Sequence, residues 1–281
     1  MINVSPTERR FLSDIKKVVL IRIAETLGSA PRESGCFMLV KETAVLGTIG
    51  GGQLEFVAIA KAKELLKANK NKESLMDFKL GPETGQCCGG LVKLEFEMIS
   101  SEEAKCLLHE KIEKIESSPK IYIFGAGHVG KALSRQLLEL PVPTLLIDNR
   151  MEMFKDLDPS QKFKCTPIPE VEIRESVPGS AYVIATHDHA LDFLLVKEAL
   201  LRKDASYIGM IGSKTKRCVL GSWLKKQGNF SLKEVTTPIG VSFMRNPIVD
   251  KRPEIIAAFV VPEVIFSINQ FNVNKKSRVG L

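Results

Sequence analysis

The chain has 281 residues, of which 44% are apolar and 26% charged, with a formal net charge of +7. This composition excludes disordered, collagen-like and coiled-coil proteins, and the length predicts about two domains that each bury their own core. The basic residues are dispersed, aromatics make up only 6%, and the sequence has no helix-turn-helix, RRM or zinc-finger pattern. We therefore expect acidic ligands or a partner protein and no nucleic acid.

The first residues predict a cytoplasmic protein, because they mix both charges and lack the apolar run of a signal peptide. The most apolar stretch, IIAAFVVP, ends before Glu263 and is too short for a membrane span, so none is expected. In a reducing cytoplasm the six cysteines are expected to be free thiols. They lack the CxxC spacing typical of structural zinc, and we predict no metal site.

Residues 1–99 predict an N-terminal α/β domain. Short apolar, β-branched runs predict strands at residues 17–24, 36–40, 44–49, 76–80 and 91–98. Apolar residues at helical spacing predict a helix at residues 53–68, which follows three consecutive glycines. The pattern indicates a strand, a glycine turn and a helix.

A connecting helix is predicted within residues 100–118, because a serine and two glutamates precede apolar residues at helical spacing. Over residues 119–281 the predicted elements alternate between strands and helices, at 120–124, 129–140, 143–147, 181–185, 191–202, 206–211 and 213–227. Alternation of this kind predicts a Rossmann-like domain with a doubly wound parallel sheet.

The C-terminal region predicts one more helix at residues 253–268, which begins at Pro253. Pro262 is expected to kink or break this helix, because proline lacks the backbone N–H that the helix needs. Residues 274–281 are rich in lysine and arginine and are expected to form a solvated basic tail.

The strongest local motif is GAGHVG, in which Gly125, Gly127 and Gly130 surround His128. It follows the strand IYIF and opens a helix, and Asp148 ends the next strand about 20 residues later, as in a dinucleotide-binding fingerprint. The helix start would bind a phosphate or nucleotide, and Asp148 would accept hydrogen bonds from a ribose. The structural alternatives are a glycine turn needed for packing and an aspartate that caps a loop.

A second anion-binding turn is predicted at Gly50, Gly51 and Gly52, because backbone amides and the helix dipole converge there. Glu55 in the first helical turn suits that dipole and has a structural interpretation as well. Arg32 in the preceding loop would bind a phosphate through two parallel hydrogen bonds. A tight turn and an ordinary surface arginine are the alternatives.

Two adjacent thiols, Cys87 and Cys88, follow Gln86 in the loop GQCCGG. Adjacent cysteines project apart and do not easily chelate one metal, so a catalytic or sulfur-contacting thiol is the better functional interpretation. The alternative is that these cysteines are small buried hydrophobic residues.

Two histidines, His187 and His189, follow the strand AYVIA, where ligands bind in open α/β sheets. In an extended segment they would face the same side, as candidates for a catalytic acid–base pair, while no third metal ligand is evident. Further along, Ser213 and Lys214 begin a helix with three cations near its start. A bound anion or solvent would relieve that unfavourable charge.

Six segments, in the order GSAPR, GTIGGGQLE, GQCCGG, GAGHVG, THDHALD and IGSKTKR, resemble the xanthine dehydrogenase accessory factor family, the XdhC/CoxI type. The resemblance covers about residues 28–265 and implies an accessory domain followed by a Rossmann domain, often as a homodimer. It implies a non-catalytic maturation factor that binds molybdenum cofactor (molybdopterin), protects it during sulfuration and inserts it into apo-xanthine dehydrogenase. A cysteine desulfurase is the further partner that it implies.

The matched motifs imply that both domains contribute to the cofactor site. The implied residues are Gly50, Gly51, Gly52, Gln53, Glu55, Gln86, Cys87, Cys88 and the loop from Gly125 to Gly130. Many CoxI-type relatives carry cysteine after IGGG, where this chain has Gln53, so the resemblance carries no metal or sulfur role to that position.

Two other function classes also agree with the motifs. One is an NAD(P)-dependent oxidoreductase, in which His187 and His189 act as acid and base and Arg150 admits a 2′-phosphate. The other is a nucleotide-sensing regulatory module without chemistry, which would be indifferent to substitution of Cys87 and Cys88.

Overall fold

The computed structural model describes residues 11, 17–68, 74–81, 89–228, 230–241 and 250–279. The chain divides into two compact units, Met1–Lys114 and Ile115–Leu281. Each unit contains one five-stranded sheet.

The first unit contains an antiparallel sheet in the order β3-β2-β1-β5-β4. Its elements are β1 (Val18–Leu27), β2 (Phe37–Val40), β3 (Val45–Gly47), α1 (Gly52–Ala68), β4 (Ser74–Lys79), β5 (Leu91–Ile99) and α2 (Ser101–Glu116). These are the strands and helices that the sequence predicts for this region, with shifted ends.

Both faces of the first sheet are covered, because side chains alternate along β1. Val19 and Ile21 pack with Leu54 of α1 on one face. Leu20 packs with Leu108 of α2 on the other. Helix α2 therefore contributes to the core of the first unit.

The second unit contains a parallel sheet in the order β10-β9-β6-β7-β8. Its elements are β6 (Ile121–Phe124), α3 (His128–Leu137), β7 (Thr144–Asp148), β8 (Phe163–Cys165), α4 (Glu170–Arg174), β9 (Ala181–Ile184), α5 (His189–Arg202), β10 (Tyr207–Met210), α6 (Lys214–Gly228) and α7 (Pro253–Val279). The order reverses between β6 and β9, as in a doubly wound Rossmann sheet, which confirms the predicted fold class.

Helix α7 corrects the prediction that Pro262 breaks the C-terminal helix, because it continues through this residue to Val279. Residues 274–279 of the predicted basic tail are helical, and Asn274, Lys275 and Ser277 are exposed. Proline removes one hydrogen bond, to the carbonyl of Ala258. Both Pro262 and Ala258 are exposed, so solvent has access at this point of the helix.

Among the described residues, α7 is the one helix long and apolar enough to span a membrane. One face of α7, with Val260, Val264 and Ile268, nevertheless packs into the core of the second unit. Glu263 is buried in the middle of the helix and accepts a hydrogen bond from the Gly240 amide. These contacts are those of a core helix.

Candidate functional site

The carboxyl ends of β6 and β9 form the point where the strand order reverses and where ligands bind in open α/β sheets. Gly125 follows β6, and Thr186 comes two residues after β9. Both line a narrow crevice together with Asp148 and His187. The structure thus brings three of the predicted site residues together.

The three glycines of the first Rossmann turn have different environments. Gly125 has φ +110, and a Cβ there would lie 2.2 Å from the carbonyl oxygen of Ala185. A Cβ on Gly130 would lie 1.9 Å from the carbonyl oxygen of Gly125. A Cβ on Gly127 would meet no described atom within 4 Å. Gly125 and Gly130 are therefore required by packing, whereas Gly127 faces open space.

Gly127 is also the N-cap of α3, and no described side chain caps this helix start. The first amides of a helix have no intrahelical acceptor, and they carry the positive end of the helix dipole. Open space above uncapped amides suits a phosphate. His128, the first residue of α3, is exposed at the same place.

Asp148 is buried and fully engaged by its own chain. Its Oδ2 accepts the Ala126 amide at 2.7 Å, and its Oδ1 accepts the Arg150 amide at 3.1 Å. The Arg150 guanidinium donates to both oxygens at 3.0 Å. These four bonds fill the acceptor positions of a carboxylate, so a ribose would have to displace Arg150.

The same bonds determine the charge of Asp148. Burial acts to raise its pKa, but hydrogen bonds from Arg150 and Ala126 outweigh burial, and the pKa lies below its ordinary value. Asp148 is therefore a carboxylate that caps the loop after β7. This agrees with the structural alternative to ribose binding that the sequence left open.

His187 and His189 line two different cavities. The chain turns between them because Asp188 caps α5, with its Oδ1 accepting the Ala190 amide at 2.8 Å. His187 lines the crevice beside Gly125, whereas His189 is the first residue of α5. The geometry gives no support to an acid–base pair of the two.

A larger cavity of about 520 Å³ lies beyond the carboxyl ends of β9 and β10. Phe193, Ile211 and Val219 form the large apolar side chains of its lining. The polar residues that line it are Thr186, His189, Ser213, Thr215 and Lys216.

A buried ion pair joins the first turns of α5 and α6, the helices that follow β9 and β10. The Asp192 side chain is 0% exposed, and its Oδ1 accepts the amide of Thr186 at 3.1 Å and its hydroxyl at 2.7 Å. Lys216 pairs with Oδ2 and donates to the Ile211 carbonyl at 3.1 Å. Sequence reasoning missed both residues, although each lies within a quoted motif and in the first turn of a helix.

The remaining charges at the start of α6 have separate roles. The Ser213 hydroxyl accepts the Lys216 amide at 3.2 Å and so caps the helix. Arg217 donates to the carbonyls of Val235 at 3.0 Å and Thr237 at 3.2 Å. Lys214 is exposed. The chain itself therefore supplies acceptors for two of the three cations.

In the first unit, Glu55 occupies the predicted anion-binding turn. Its Oε2 accepts the Thr48 hydroxyl at 2.6 Å, the Gly51 amide at 3.0 Å and the Ile49 amide at 3.1 Å. Burial acts to raise the Glu55 pKa, but these hydrogen bonds outweigh burial and hold the pKa below its ordinary value. Glu55 thus stabilises the turn from within, which supports its structural interpretation.

Three glycine-containing loops of the first unit meet. A Cβ on Gly50 would lie 2.5 Å from the Pro31 side chain, and one on Gly90 would lie 2.3 Å from the Ser29 carbonyl oxygen. The GSAPR loop therefore contacts both the IGGG turn and the residue two positions after Cys88. Two other predicted residues of these loops, Arg32 and Gln53, are exposed.

The predicted residues Gln86, Cys87 and Cys88 lie outside the described residues. In the part of the chain that the structure describes, no three His, Cys, Asp or Glu side chains are close enough together to hold a metal. The described cysteines Cys36, Cys106, Cys165 and Cys218 are free thiols.

Comparison with known proteins places both units in one family. The XdhC Rossmann domain matches residues 121–264, which is more than half of the chain. The XdhC and CoxI family matches residues 12–79.

Two curated relatives are similar but longer. The uncharacterized protein YqeB of Escherichia coli K12 is 22% identical over 88% of this chain and 42% of its own length. A protein of Bacillus subtilis 168, described as a probable xanthine dehydrogenase subunit, is 28% identical over 55% of this chain and 44% of its own. The chain thus spans less than half the length of either.

The fold also occurs in a crystal structure of a protein from Bacillus halodurans described as a xanthine dehydrogenase. That structure has a TM-score of 0.72 and 18% identity, covering 93% of this chain and 94% of the other. This likeness shows the shared fold, and the family matches over residues 121–264 and 12–79 show that the chain belongs to the XdhC and CoxI family.

Proposed function

We propose that this protein is a xanthine dehydrogenase maturation factor that binds molybdenum cofactor, protects it during sulfuration and inserts it into apo-xanthine dehydrogenase. Membership of the XdhC and CoxI family supports the role in maturation, and so does the similarity to a probable component of xanthine dehydrogenase. The more specific part of the proposal is that the protein binds and delivers the cofactor, and this part rests on the loops of the first unit.

The observation that carries the proposal is the contact of the GSAPR loop with both the IGGG turn and Gly90. Residues of three motifs that are far apart in the chain thereby meet, and in the sequence Gly90 comes two residues after Cys88. Thiolates are suitable partners for a metal–sulfur cargo. Exposed Arg32 of the GSAPR loop supplies a guanidinium for a phosphate.

Molybdopterin carries a phosphate, for which the chain offers two sites of different kinds. In the first unit Glu55 already takes the Ile49 and Gly51 amides, so a phosphate there would bind Arg32. In the second unit a Cβ on Gly127 would meet no described atom within 4 Å, so the space above the helix start is open to a phosphate.

Two further partners belong to the proposal. A cysteine desulfurase would supply the sulfur during sulfuration, and a second copy of the chain would complete a homodimer. The net charge of +7 favours association with acidic surfaces and anionic cargo.

The direct test is anaerobic binding of released molybdenum cofactor to the full chain. We expect molybdenum and pterin to remain with the protein through gel filtration at about one equivalent per chain, and transfer to apo-xanthine dehydrogenase to restore urate formation. Protein that emerges without molybdenum would refute the proposal.

The role of the loop thiols is tested by Cys87→Ser and Cys88→Ser, with Cys106→Ser as the matched control because Cys106 is exposed on α2. We expect each loop variant to lose cofactor retention or transfer at an unchanged melting temperature, and the control to behave as wild type. Full transfer by both loop variants would contradict the thiol role and support a nucleotide sensor.

The oxidoreductase alternative has less structural support. Arg150 occupies the carboxylate of Asp148 that would hold a ribose, and His187 and His189 line different cavities. Titration with NAD(H) and NADP(H) up to millimolar concentration measures it directly. Binding of either cofactor without retention of molybdenum would favour this alternative.

A further inference from the structure

The cavity beyond β9 and β10 has the size and lining of a small-molecule site. Its volume of about 520 Å³ lies within the range of ligand sites, roughly 300–1,000 Å³. Phe193 and Ile211 give it an apolar wall, and Val219, itself 53% exposed, continues that wall. An apolar wall of this kind suits the face of a planar ring.

Lys216 adds a polar group to the cavity. Its side chain is 11% exposed, and within the described residues it donates to Asp192 and to the Ile211 carbonyl. An ammonium group has three N–H donors, so one remains for a ligand that enters the cavity. A ring with nitrogen or oxygen acceptors at its edge meets this requirement.

The ion pair itself is not explained by fold stability. Burying two charges costs more desolvation energy than burying apolar side chains of similar volume. Asp192 is nevertheless completely buried, and Thr186 holds its orientation with two hydrogen bonds. Asp192 lies behind the cavity wall and holds Lys216, which lines the cavity, in a fixed position, as expected where a ligand is recognised.

The cavity lies next to the crevice at the first Rossmann turn. Thr186 lines both the cavity and the crevice that contains Gly125, and the uncapped helix start at Gly127 follows two residues later. On the β7 side, the Arg150 guanidinium donates hydrogen bonds to both carboxylate oxygens of Asp148. One half of the dinucleotide crevice is thus closed by the chain, and the other half is open.

We propose that the second unit binds a planar heterocycle with a single phosphate, with the ring beside Lys216 and the phosphate at Gly127, and that Arg150 excludes dinucleotides. A purine mononucleotide and a phosphorylated pterin share this chemistry. The proposal deepens the proposed function, on which it rests, because the helix start at Gly127 is one of the two sites offered there to the phosphate of molybdopterin. Its tests use ligands without molybdenum, so their failure is distinguishable from a failure of cofactor delivery.

The first test is calorimetric titration of the full chain with guanosine monophosphate, neopterin monophosphate and NAD⁺. We expect at least one monophosphate to bind and NAD⁺ to bind at least tenfold more weakly. The preferred monophosphate identifies the ligand as a nucleotide or a pterin. Absence of binding by both, or equal binding of NAD⁺, would overturn the proposal.

The cavity is tested with the double variant Asp192→Asn/Lys216→Met, which removes both charges together so that neither is left buried and unpaired. Lys225→Ala is the matched control, because Lys225 is an exposed lysine near the end of the same helix. At wild-type circular dichroism, we expect at least a tenfold loss of monophosphate affinity in the double variant and no change in the control. Undiminished affinity in the double variant would contradict the site.

The exclusion of dinucleotides is tested with Arg150→Ala and Arg150→Lys. Alanine frees acceptor positions on Asp148, and lysine keeps the charge while losing the two-pronged hydrogen bond. We expect NAD⁺ affinity to rise at least tenfold in the alanine variant and less in the lysine variant. Unchanged NAD⁺ affinity in both would refute the role of Arg150, and no step of this experiment depends on molybdenum.

Discussion

The two glycine turns of this protein look alike in sequence but differ in structure. Each follows a strand and starts a helix, at Gly50 to Gly52 in the first unit and at Gly125 to Gly130 in the second. In the first turn, Glu55 binds the Ile49 and Gly51 amides. In the second, no described side chain caps the helix start at Gly127.

The difference shows what a glycine-rich helix start needs in order to bind an external anion. The amides and the dipole are present in both turns, but an acidic side chain in the first helical turn supplies an internal anion. Helix α3 has no acidic residue in its first turn. Whether such a turn is free for a phosphate therefore depends on the residues after the glycines.

The largest expected effect distinguishes glycines needed for packing from the one that faces open space. We expect Gly130→Val to reduce the free energy of unfolding by about 3 kcal/mol, because its Cβ would lie 1.9 Å from the Gly125 carbonyl oxygen. Urea denaturation measures the loss. A Gly130→Val protein as stable as wild type would contradict the packing described here.

A smaller effect is expected when the internal anion is removed. Glu55→Ala should reduce the free energy of unfolding by about 1–2 kcal/mol, because it leaves amides of the turn without an acceptor. Hydrogen exchange of Ile49 and Gly51 should become faster, and sulfate should slow it again by taking the place of the carboxylate. Exchange that does not respond to sulfate would show that the turn needs Glu55 for its shape.

The reverse experiment gives the second turn an internal cap. Gly127→Ser places a hydroxyl at the N-cap and is expected to stabilise the fold by a few tenths of a kcal/mol. The same hydroxyl competes with a phosphate for the helix amides, so monophosphate affinity should fall about tenfold, or about 1.4 kcal/mol. Thermal unfolding measures the stability, and calorimetry measures the monophosphate affinity. A Gly127→Ser protein with higher stability and also higher affinity would contradict the view that the phosphate binds at the uncapped helix amides.

The smallest effect is a difference in pH dependence. The pKa of Glu55 lies below its ordinary value of 4.5, so its carboxylate contributes stability above pH 4.5 that is lost as the pH falls through the folded-state pKa. We expect the stability difference between wild type and Glu55→Gln to shrink below pH 4.5. A difference that grows on acidification would have the wrong sign.

Regular elements with a strong pattern were predictable from the sequence. The strand IYIF, the glycine motif and the alternation of strands and helices predict a Rossmann-like doubly wound parallel sheet, and the structure confirms it. Strand β8 was missed because it has three residues, two of them exposed. The predicted C-terminal helix is shorter than α7. The sequence around Pro262 does not show that residues before and after the proline both pack into the core.

The site was less predictable, because hydrogen bonds depend on how side chains are oriented in space. GAGHVG predicts an open helix start, but nothing in the sequence shows that Arg150 turns back onto Asp148. Asp192 and Lys216 meet because β9 and β10 are neighbours in the sheet. Such a pair follows from the strand order and cannot be inferred from either motif alone.

Glu263 opposes insertion of α7 into a membrane before the helix packs into the second unit. The helix has the length and apolar composition of a membrane span, and an ionised side chain near the centre of such a segment adds about 2.5–3.5 kcal/mol to the free energy of insertion into a bilayer. In the folded unit the same carboxylate is buried and accepts the Gly240 amide. One residue thus makes the bilayer a poorer environment for α7 and helps to hold the folded protein together.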